Sequence, residues 1–300
     1  MPTKPNFFIL GAAKAGTTSL YEILAQHPQV YQPFNKETAF FNDDGFFAKG
    51  QDWYLKTYFN QSEGALARGE ATPHYLYWAE KTAPRIRAAF RDEPLRFIVI
   101  LREPASRAYS WYWNMRKEGQ ENLSFADALA AEPARLQQHH VRLYANGSMR
   151  YGYLRGGQYA AQIEQFLEFF PVEDFLFLLQ EDLMHRFAWT TRKLSEFLGI
   201  DPNFAFKPTL SNPSGGSRNV EVQKMLRERS PLKELFKNLI PARVRYTLKE
   251  LALRGNSLPF TYPPLSPSTA LALKAQFAAG NSRLASLIGR DLSGWNQPEA

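Results

Sequence analysis

The chain has 300 residues, of which 44% are hydrophobic, so it is long enough to bury the core of a large folded domain. It contains no cysteine and five scattered histidines, which excludes disulfides and thiolate metal sites and predicts no bound metal. The formal net charge is +7, and residues 222–254 hold nine Lys or Arg against three Glu, so most of the excess lies in one segment.

The first apolar run begins within about six residues of Met1, and no run approaches the roughly 20 residues that cross a bilayer. We therefore expect a soluble protein without a signal peptide, located in the cytoplasm. The confinement of the basic charge to predicted helices, without a visible recognition module, disfavours a nucleic-acid partner.

Short apolar runs alternate with helical patterns along the chain. This alternation predicts an α/β fold in which helices flank both faces of a central parallel sheet. Near-continuous apolar runs predict buried strands at Phe7–Leu10, Phe97–Leu101 and Phe175–Leu179. The spacing of apolar residues predicts helices that end before Pro28, run from about Tyr159 to Phe170, and end at Gly199.

The junction after the first predicted strand has the residues of a phosphate-binding loop. Gly11 and Gly16 stand at the spacing of a P-loop, but Thr17 occupies the position of the loop lysine, and the cation is Lys14. Backbone N–H groups and the following helix N-terminus can surround a phosphate there, with the ammonium close to the bond that breaks. The alternative is an ordinary strand-to-helix turn with a solvated lysine.

Glu37 is a candidate general base. It follows a short strand-like pair, Val30-Tyr31, and should therefore lie at the carboxyl edge of the sheet. A carboxylate at that edge can accept a proton from an attacking hydroxyl. The alternative is a glutamate in the first turn of a helix, with Asn35 as the N-cap.

Arg102 ends the second long predicted strand, at the edge where open α/β sheets bind ligands. Pro104 suits the first turn of the next helix, which places Arg107, Ser110 and Asn114 on one helix face. A guanidinium and a hydroxyl suit a second, separate phosphate. The alternative is an exposed arginine beside a serine on the helix surface.

Residues 211–267 have a different pattern. Asn212–Ser217 predict a flexible loop, Ser230-Pro231 predict the start of a helix, and apolar spacing over 244–251 predicts another helix. We interpret the segment as a helical insertion or cofactor-covering loop within a single domain that spans residues 1–300. Its basic part, residues 222–254, could be a solvated helical pair, line a groove for an anionic acceptor, or contact an anionic membrane surface.

In this order and spacing, the three candidate segments resemble the sulfotransferases that use 3′-phosphoadenosine 5′-phosphosulfate (PAPS), in the branch of heparan sulfate sulfotransferase domains and their bacterial relatives. Lys14–Thr18 resembles the family's 5′-phosphosulfate loop, Arg102–Ser110 its 3′-phosphate motif, and Lys36–Phe41 the segment that carries its base. Further similarities lie at Gly69–Pro73, Gly157–Tyr159 and Leu287–Trp295.

The resemblance implies a P-loop-like three-layer domain, no metal, and in-line transfer of a sulfuryl group from PAPS to a hydroxyl or amine of a glycan, lipid or small molecule. Lys14 would stabilise the leaving phosphate, and Glu37 would deprotonate the acceptor. The implied cofactor contacts are Lys14, Ala15, Gly16, Thr17, Thr18, Arg102, Ser110 and, in a late basic loop, Arg218.

Two positions depart from the family pattern. Ala39 stands where some relatives carry a histidine, and Ser19 stands where the small-molecule branch carries a tryptophan. Neither change removes a required group, but both weaken any inference about the acceptor. Glu70 and His74 lie in a segment that borders the acceptor site in relatives, where each could be a second acid or base, or a packing residue.

Two other functions fit parts of the sequence. A P-loop kinase using ATP and magnesium would take its metal-binding acid from Gln180-Glu181-Asp182, which follows the strand at Phe175–Leu179. Against it, Thr17 replaces the loop lysine. A non-catalytic nucleotide-binding or membrane-surface module would keep the two loops but would have no use for Glu37.

Overall fold

A five-stranded sheet forms the centre of the computed structural model, which describes residues 3–139, 150–209, 215–217, 219, 222, 242–259 and 261–297. Its neighbouring strands are all parallel, and their order is β2-β3-β1-β4-β5. The strands are β1 (Phe7–Gly11), β2 (Val30–Tyr31), β3 (Ala67–Ala71), β4 (Arg96–Leu101) and β5 (Phe175–Leu179).

Helices cover both faces of the sheet. Successive residues of a strand point to opposite faces, and each residue of β1 from Phe7 to Leu10 is 0% exposed, so neither face is open to water. The helices before β5 are α1 (Thr17–Leu24), α2 (Asp44–Phe47), α3 (Gln51–Tyr58), α4 (His74–Tyr77), α5 (Ala79–Ala89), α6 (Pro104–Lys117), α7 (Phe125–His139) and α8 (Tyr159–Leu167). Those after it are α9 (Gln180–His185), α10 (Phe187–Leu198), α11 (Ala242–Gly255) and α12 (Pro267–Ile288). The predicted three-layer α/β fold is confirmed.

Local sequence explains where the predicted helices begin and end. Pro104 stands in the first turn of α6, and the Glu103 carboxylate caps that helix by accepting from the backbone N–H of Ser106 at 2.7 Å. Gly199 ends α10 with a left-handed φ of 68°. The helix predicted to reach Phe170 ends earlier, at Leu167. Pro171 follows shortly afterwards, and a proline disfavours helical backbone at the residue before it.

One central strand, β3, was not predicted. Its sequence, ARGEA, contains two charged residues and no apolar run, which is the reverse of the usual buried parallel strand. Small residues allow it to approach β1 closely. A Cβ at Gly69 would lie 2.5 Å from Cγ of Phe7, so no side chain fits at that position.

The segment 211–267 is in part different from its prediction. Gly215–Ser217, predicted as loop, forms a short strand β6 that pairs antiparallel with β7 (Ser257–Pro259). Next to the pair, the Asn256 side chain accepts from the backbone N–H of Asn219 at 3.0 Å and donates to its carbonyl at 2.8 Å. Helix α11 agrees with the second predicted helix, whereas the helix predicted from Ser230 lies outside the described residues.

None of the described helices combines the length and the apolar character that crossing a membrane requires.

The prediction of a single domain over the whole chain stays a prediction.

We expect Gly69→Ala to lower the free energy of unfolding by about 1–3 kcal/mol, because the added methyl group overlaps Phe7 in a packed interior. The measurement is thermal or urea unfolding. Gly280→Ala is the control, since Gly280 is exposed in α12 with open space around it, and alanine favours a helix. Equal stability of the two variants would contradict the close β1–β3 contact.

Candidate active site

The predicted loops after β1 and β4 meet at one edge of the sheet. The two strands are parallel neighbours, with Gly11 of β1 opposite Val99 of β4, so their carboxyl ends lie side by side. The Arg102 guanidinium lies 3.5 Å from the backbone carbonyl oxygen of Lys14. The structure therefore brings together the two segments that the sequence predicted to bind separate anionic groups.

Backbone conformation shapes the loop between β1 and α1. Lys14 and Gly16 have left-handed φ values of 72° and 104°, which turn the chain sharply from strand to helix. The loop is tied to β4, because the N–H of Ala12 donates to the carbonyl of Ile100 at 2.7 Å. Helix α1 then begins at Thr17, and Gly16 has no side chain to cap it. The N–H groups of the first turn are therefore not engaged by an N-cap side chain, as an anion site requires.

Positive charge is concentrated around Lys14. Burial lowers the pKa of the Lys14 ammonium to about 8, and the cations Lys117, Arg102 and Lys36 lower it as well, against the Glu118 carboxylate, which raises it. A nearby anion would relieve this repulsion. Lys117 and Glu118 at the end of α6 were not predicted as neighbours of the loop, because charged residues at a helix end are ordinary surface features in sequence.

The helix after Arg102 carries residues with different roles. Ser110 is buried on α6, two turns after Pro104. Arg107, predicted on the same face, is 0% exposed and donates to the backbone carbonyls of Gly152 and Tyr153. Arg107 is therefore a structural anchor for the turn before α8.

Glu37 lies in an irregular loop. Its side chain is 45% exposed and accepts from the Lys36 ammonium at 2.9 Å. The alternative interpretation, a first-turn glutamate with Asn35 as N-cap, is wrong: the Asn35 side chain donates to the carbonyl of Glu37 at 3.1 Å, and the next helix is α2, capped by Asp43. The carboxylate is therefore accessible, as a base that meets a substrate must be.

His74 and Glu70, whose roles the sequence left open, have different surroundings. Burial lowers the pKa of His74 and so favours the neutral imidazole, with Glu37 and Lys36 acting on it in opposite directions. Lys36 and Glu118 affect the pKa of both His74 and Lys14, so these two residues share part of one electrostatic environment. Glu70 is 0% exposed, and its carboxylate accepts hydrogen bonds from four hydroxyls. It has no open path to a substrate in this structure.

The residue that supported a kinase is engaged elsewhere. The Asp182 carboxylate accepts from the backbone N–H of Leu179 at 3.2 Å and is bridged by Arg290, with contacts of 2.9 Å and 3.1 Å. An ion pair with arginine and a helix-start hydrogen bond are a structural use of this acid. Among the described residues, no group of three or more His, Asp or Glu side chains is placed to hold a metal ion.

Arg218, the remaining predicted cofactor contact, lies outside the described residues. The strand just before it, β6, lies next to α6, the helix that carries Ser110.

Comparisons with known proteins identify the family. The sulfotransferase domain family matches residues 4–227. The human bifunctional heparan sulfate N-deacetylase/N-sulfotransferase 2 is 30% identical over 217 residues, which are 69% of this chain and 23% of that protein. The Drosophila melanogaster protein of the same description is 26% identical over 216 residues, 66% of this chain and 20% of that protein. The matched region thus spans about a quarter of the length of these curated relatives.

A solved bacterial structure is similar along its whole length. The sulfotransferase from Alicyclobacillus acidocaldarius has a TM-score of 0.70 and 28% sequence identity, and the match covers 98% of this chain and 100% of that one. The matched residues include both segments that were predicted to bind anions, Glu37 and the whole five-stranded sheet. The predicted resemblance is confirmed, and the chain belongs to the sulfotransferase family that uses PAPS.

Proposed function

We propose that this protein transfers a sulfuryl group from PAPS to a hydroxyl or amine acceptor by in-line displacement. The observation that supports this most is the contact between the Arg102 guanidinium and the Lys14 loop at one edge of the sheet. PAPS has two anionic ends, a 5′-phosphosulfate and a 3′-phosphate, separated by one adenosine. Two adjacent cationic elements fit that pattern.

The 5′ end would bind at the loop between β1 and α1. Backbone N–H groups from Gly16 to Thr18 would surround the 5′-phosphate, helped by the α1 N-terminus, whereas the N–H of Ala15 donates to the carbonyl of Ala12 at 3.1 Å. The Lys14 ammonium would stabilise the negative charge that develops on the bridging oxygen of the phosphosulfate as the bond between that oxygen and sulfur breaks. Sulfuryl transfer, like phosphoryl transfer, depends mainly on alignment and on this charge stabilisation.

The 3′-phosphate would bind Arg102 and Ser110. Arginine presents a fork of donors that suits a phosphate, and a serine hydroxyl adds one more donor. Arg218 is proposed as a third contact on the basis of its sequence position alone. This second phosphate is what separates PAPS from ATP.

Glu37 would accept the proton of the attacking hydroxyl or amine. Its exposed carboxylate is paired with Lys36, which favours the ionised form that a base needs. Burial lowers the pKa of His74, which makes its imidazole a weaker proton acceptor than an exposed histidine.

The names of the relatives support one class of acceptor. They describe heparan sulfate N-sulfotransferases, so an amine or hydroxyl of a glycan is the acceptor we propose first. N-desulfated heparan oligosaccharide is the probe that tests it, with radiolabelled PAPS as donor.

Glu37→Gln should lower kcat by about 10²–10⁴-fold, because the amide cannot accept the proton, while the Kd for 3′,5′-adenosine bisphosphate stays within about twofold of the wild-type value. Turnover is measured as release of the bisphosphate product from PAPS, and Kd by calorimetry. Wild-type turnover in this variant would remove Glu37 from the base role.

Arg102→Ala should raise the Kd for 3′,5′-adenosine bisphosphate by about 10–100-fold, through loss of a charge-assisted hydrogen bond. Adenosine 5′-monophosphate, which lacks the 3′-phosphate, serves as the matched ligand. Its affinity should change little, and an equal loss for both ligands would contradict a specific 3′-phosphate contact.

Binding of 3′,5′-adenosine bisphosphate should weaken as the pH rises above about 8, because the free protein's Lys14, with a pKa of about 8, then loses the charge that attracts the phosphate. Between pH 8.5 and 9.5 the Kd should rise by at most about tenfold per pH unit, because one proton is linked to binding. Lys14→Arg should bind with little pH dependence over this range. A flat wild-type profile from pH 7 to 9.5 would contradict the role of Lys14.

A further inference from the structure

Glu70 is a buried acid that is held by hydroxyl groups. It lies on β3 opposite Phe8 of β1 and is 0% exposed. Its Oε1 accepts from Thr38 at 2.7 Å, Tyr54 at 2.8 Å and Tyr75 at 2.9 Å, and its Oε2 accepts from Thr72 at 2.6 Å. A carboxylate in this position is costly unless such donors satisfy its oxygens.

These donors come from separate parts of the chain. Thr38 is the residue after Glu37, Tyr54 belongs to α3, Thr72 follows β3, and Tyr75 belongs to α4. One carboxylate therefore joins the loop that carries Glu37 to the two elements beside it. Thr72 and Tyr75 also stand on either side of His74, so the same group fixes the backbone around that residue.

The loop backbone is held by the same hydroxyls. The N–H of Ala39 donates to the Thr72 hydroxyl and the N–H of Phe41 to the Tyr75 hydroxyl, each at 3.4 Å. Because each hydroxyl gives its proton to Glu70, its oxygen lone pairs are left to accept from the loop. The acid at position 70 thus sets the direction of the whole network. It also supports a left-handed turn, since Ala39 has a φ of 54°.

Aromatic packing below the loop leaves little room for another arrangement. The rings of Phe40 and Tyr54 are stacked with centroids 4.5 Å apart, and the Phe41 ring lies edge-on to Tyr75 at 5.7 Å. Phe40 and Phe41 are both buried. The side chains after Glu37 therefore point into the core, which leaves Glu37 at the exposed end of a fixed segment.

We propose that Glu70 is a positioning residue for Glu37, which it holds at the sheet edge through Thr38 and the loop amides. The proposal rests on the proposed role of Glu37 as the base. In this proposal Glu70, the second acid of this region, fixes the position of Glu37 and does not exchange a proton with the acceptor.

The test compares two variants that each remove one hydroxyl from the same carboxylate oxygen. Thr38→Val removes the contact beside Glu37, and Tyr54→Phe removes the contact from α3, away from the loop. Thr38→Val should lower kcat roughly tenfold, since a small misplacement of a reacting group reduces turnover. Tyr54→Phe should lower kcat less than threefold, although both variants lose stability. Thr38→Ser, which keeps the hydroxyl, should restore kcat.

Turnover is measured as release of 3′,5′-adenosine bisphosphate from PAPS, with N-desulfated heparan oligosaccharide as the acceptor probe and water as acceptor without it. The Kd of the bisphosphate should stay within twofold in every variant. Equal loss of kcat in Thr38→Val and Tyr54→Phe would overturn the proposal, because it would reflect stability alone. Wild-type kcat in Thr38→Val together with an inactive, folded Glu70→Gln would overturn it in favour of Glu70 as an acid or base.

A double variant separates this proposal from the proposed function. If Thr38 acts through Glu37, adding Thr38→Val to Glu37→Gln should not lower the residual turnover further. A further tenfold loss would overturn the positioning role while leaving the base role intact. Wild-type turnover in Glu37→Gln alone would instead refute the base, and with it the premise of the positioning role.

Discussion

The placement of several cations at one edge of the sheet is the constraint on which the site depends. Lys14 is partly buried, and Arg102, Lys36 and Lys117 add to the unfavourable electrostatics that lower its pKa to about 8. Burial is the largest cause of this lowering, and the Glu118 carboxylate opposes it without cancelling it. A bound anion would offset this electrostatic cost at Lys14. The loop is therefore arranged for its ligand before the ligand binds.

The two halves of the proposed reaction rely on different structural devices. The cationic part of the site, around Lys14 and Arg102, is shaped by the backbone. Lys14 and Gly16 have left-handed conformations, and β1 pairs in parallel with β4. The acidic part, around Glu37 and Glu70, is shaped by side chains, namely the hydroxyls that donate to the Glu70 carboxylate. Backbone geometry suits a phosphate, whose charge is spread over several oxygens. A single base needs a defined position, which a buried network of hydrogen bonds can supply.

The sequence predicted the parts of this structure that depend on local pattern. The strands β1, β4 and β5 are apolar runs, and the loops that follow β1 and β4 carry the candidate cofactor-binding residues at fixed spacing. The pattern failed where distant residues decide the outcome. The charged Glu70 is unusual for a buried strand such as β3. Its burial becomes possible only in the folded chain, where the hydroxyls of Tyr54 and Tyr75 lie beside it. Asp182 looked like a metal ligand because its partner, Arg290, lies far along the chain.

The pairing of β6 with β7 has a consequence for how such an enzyme can diversify. The pairing brings Ser217 and Ser257 together, and two hydrogen bonds between Asn256 and Asn219 reinforce it. The entropy of closing a loop grows slowly with its length, since each doubling of a flexible loop adds only about 0.6 kcal/mol. The number of residues between β6 and β7 can therefore vary at small cost in free energy while the central sheet is kept.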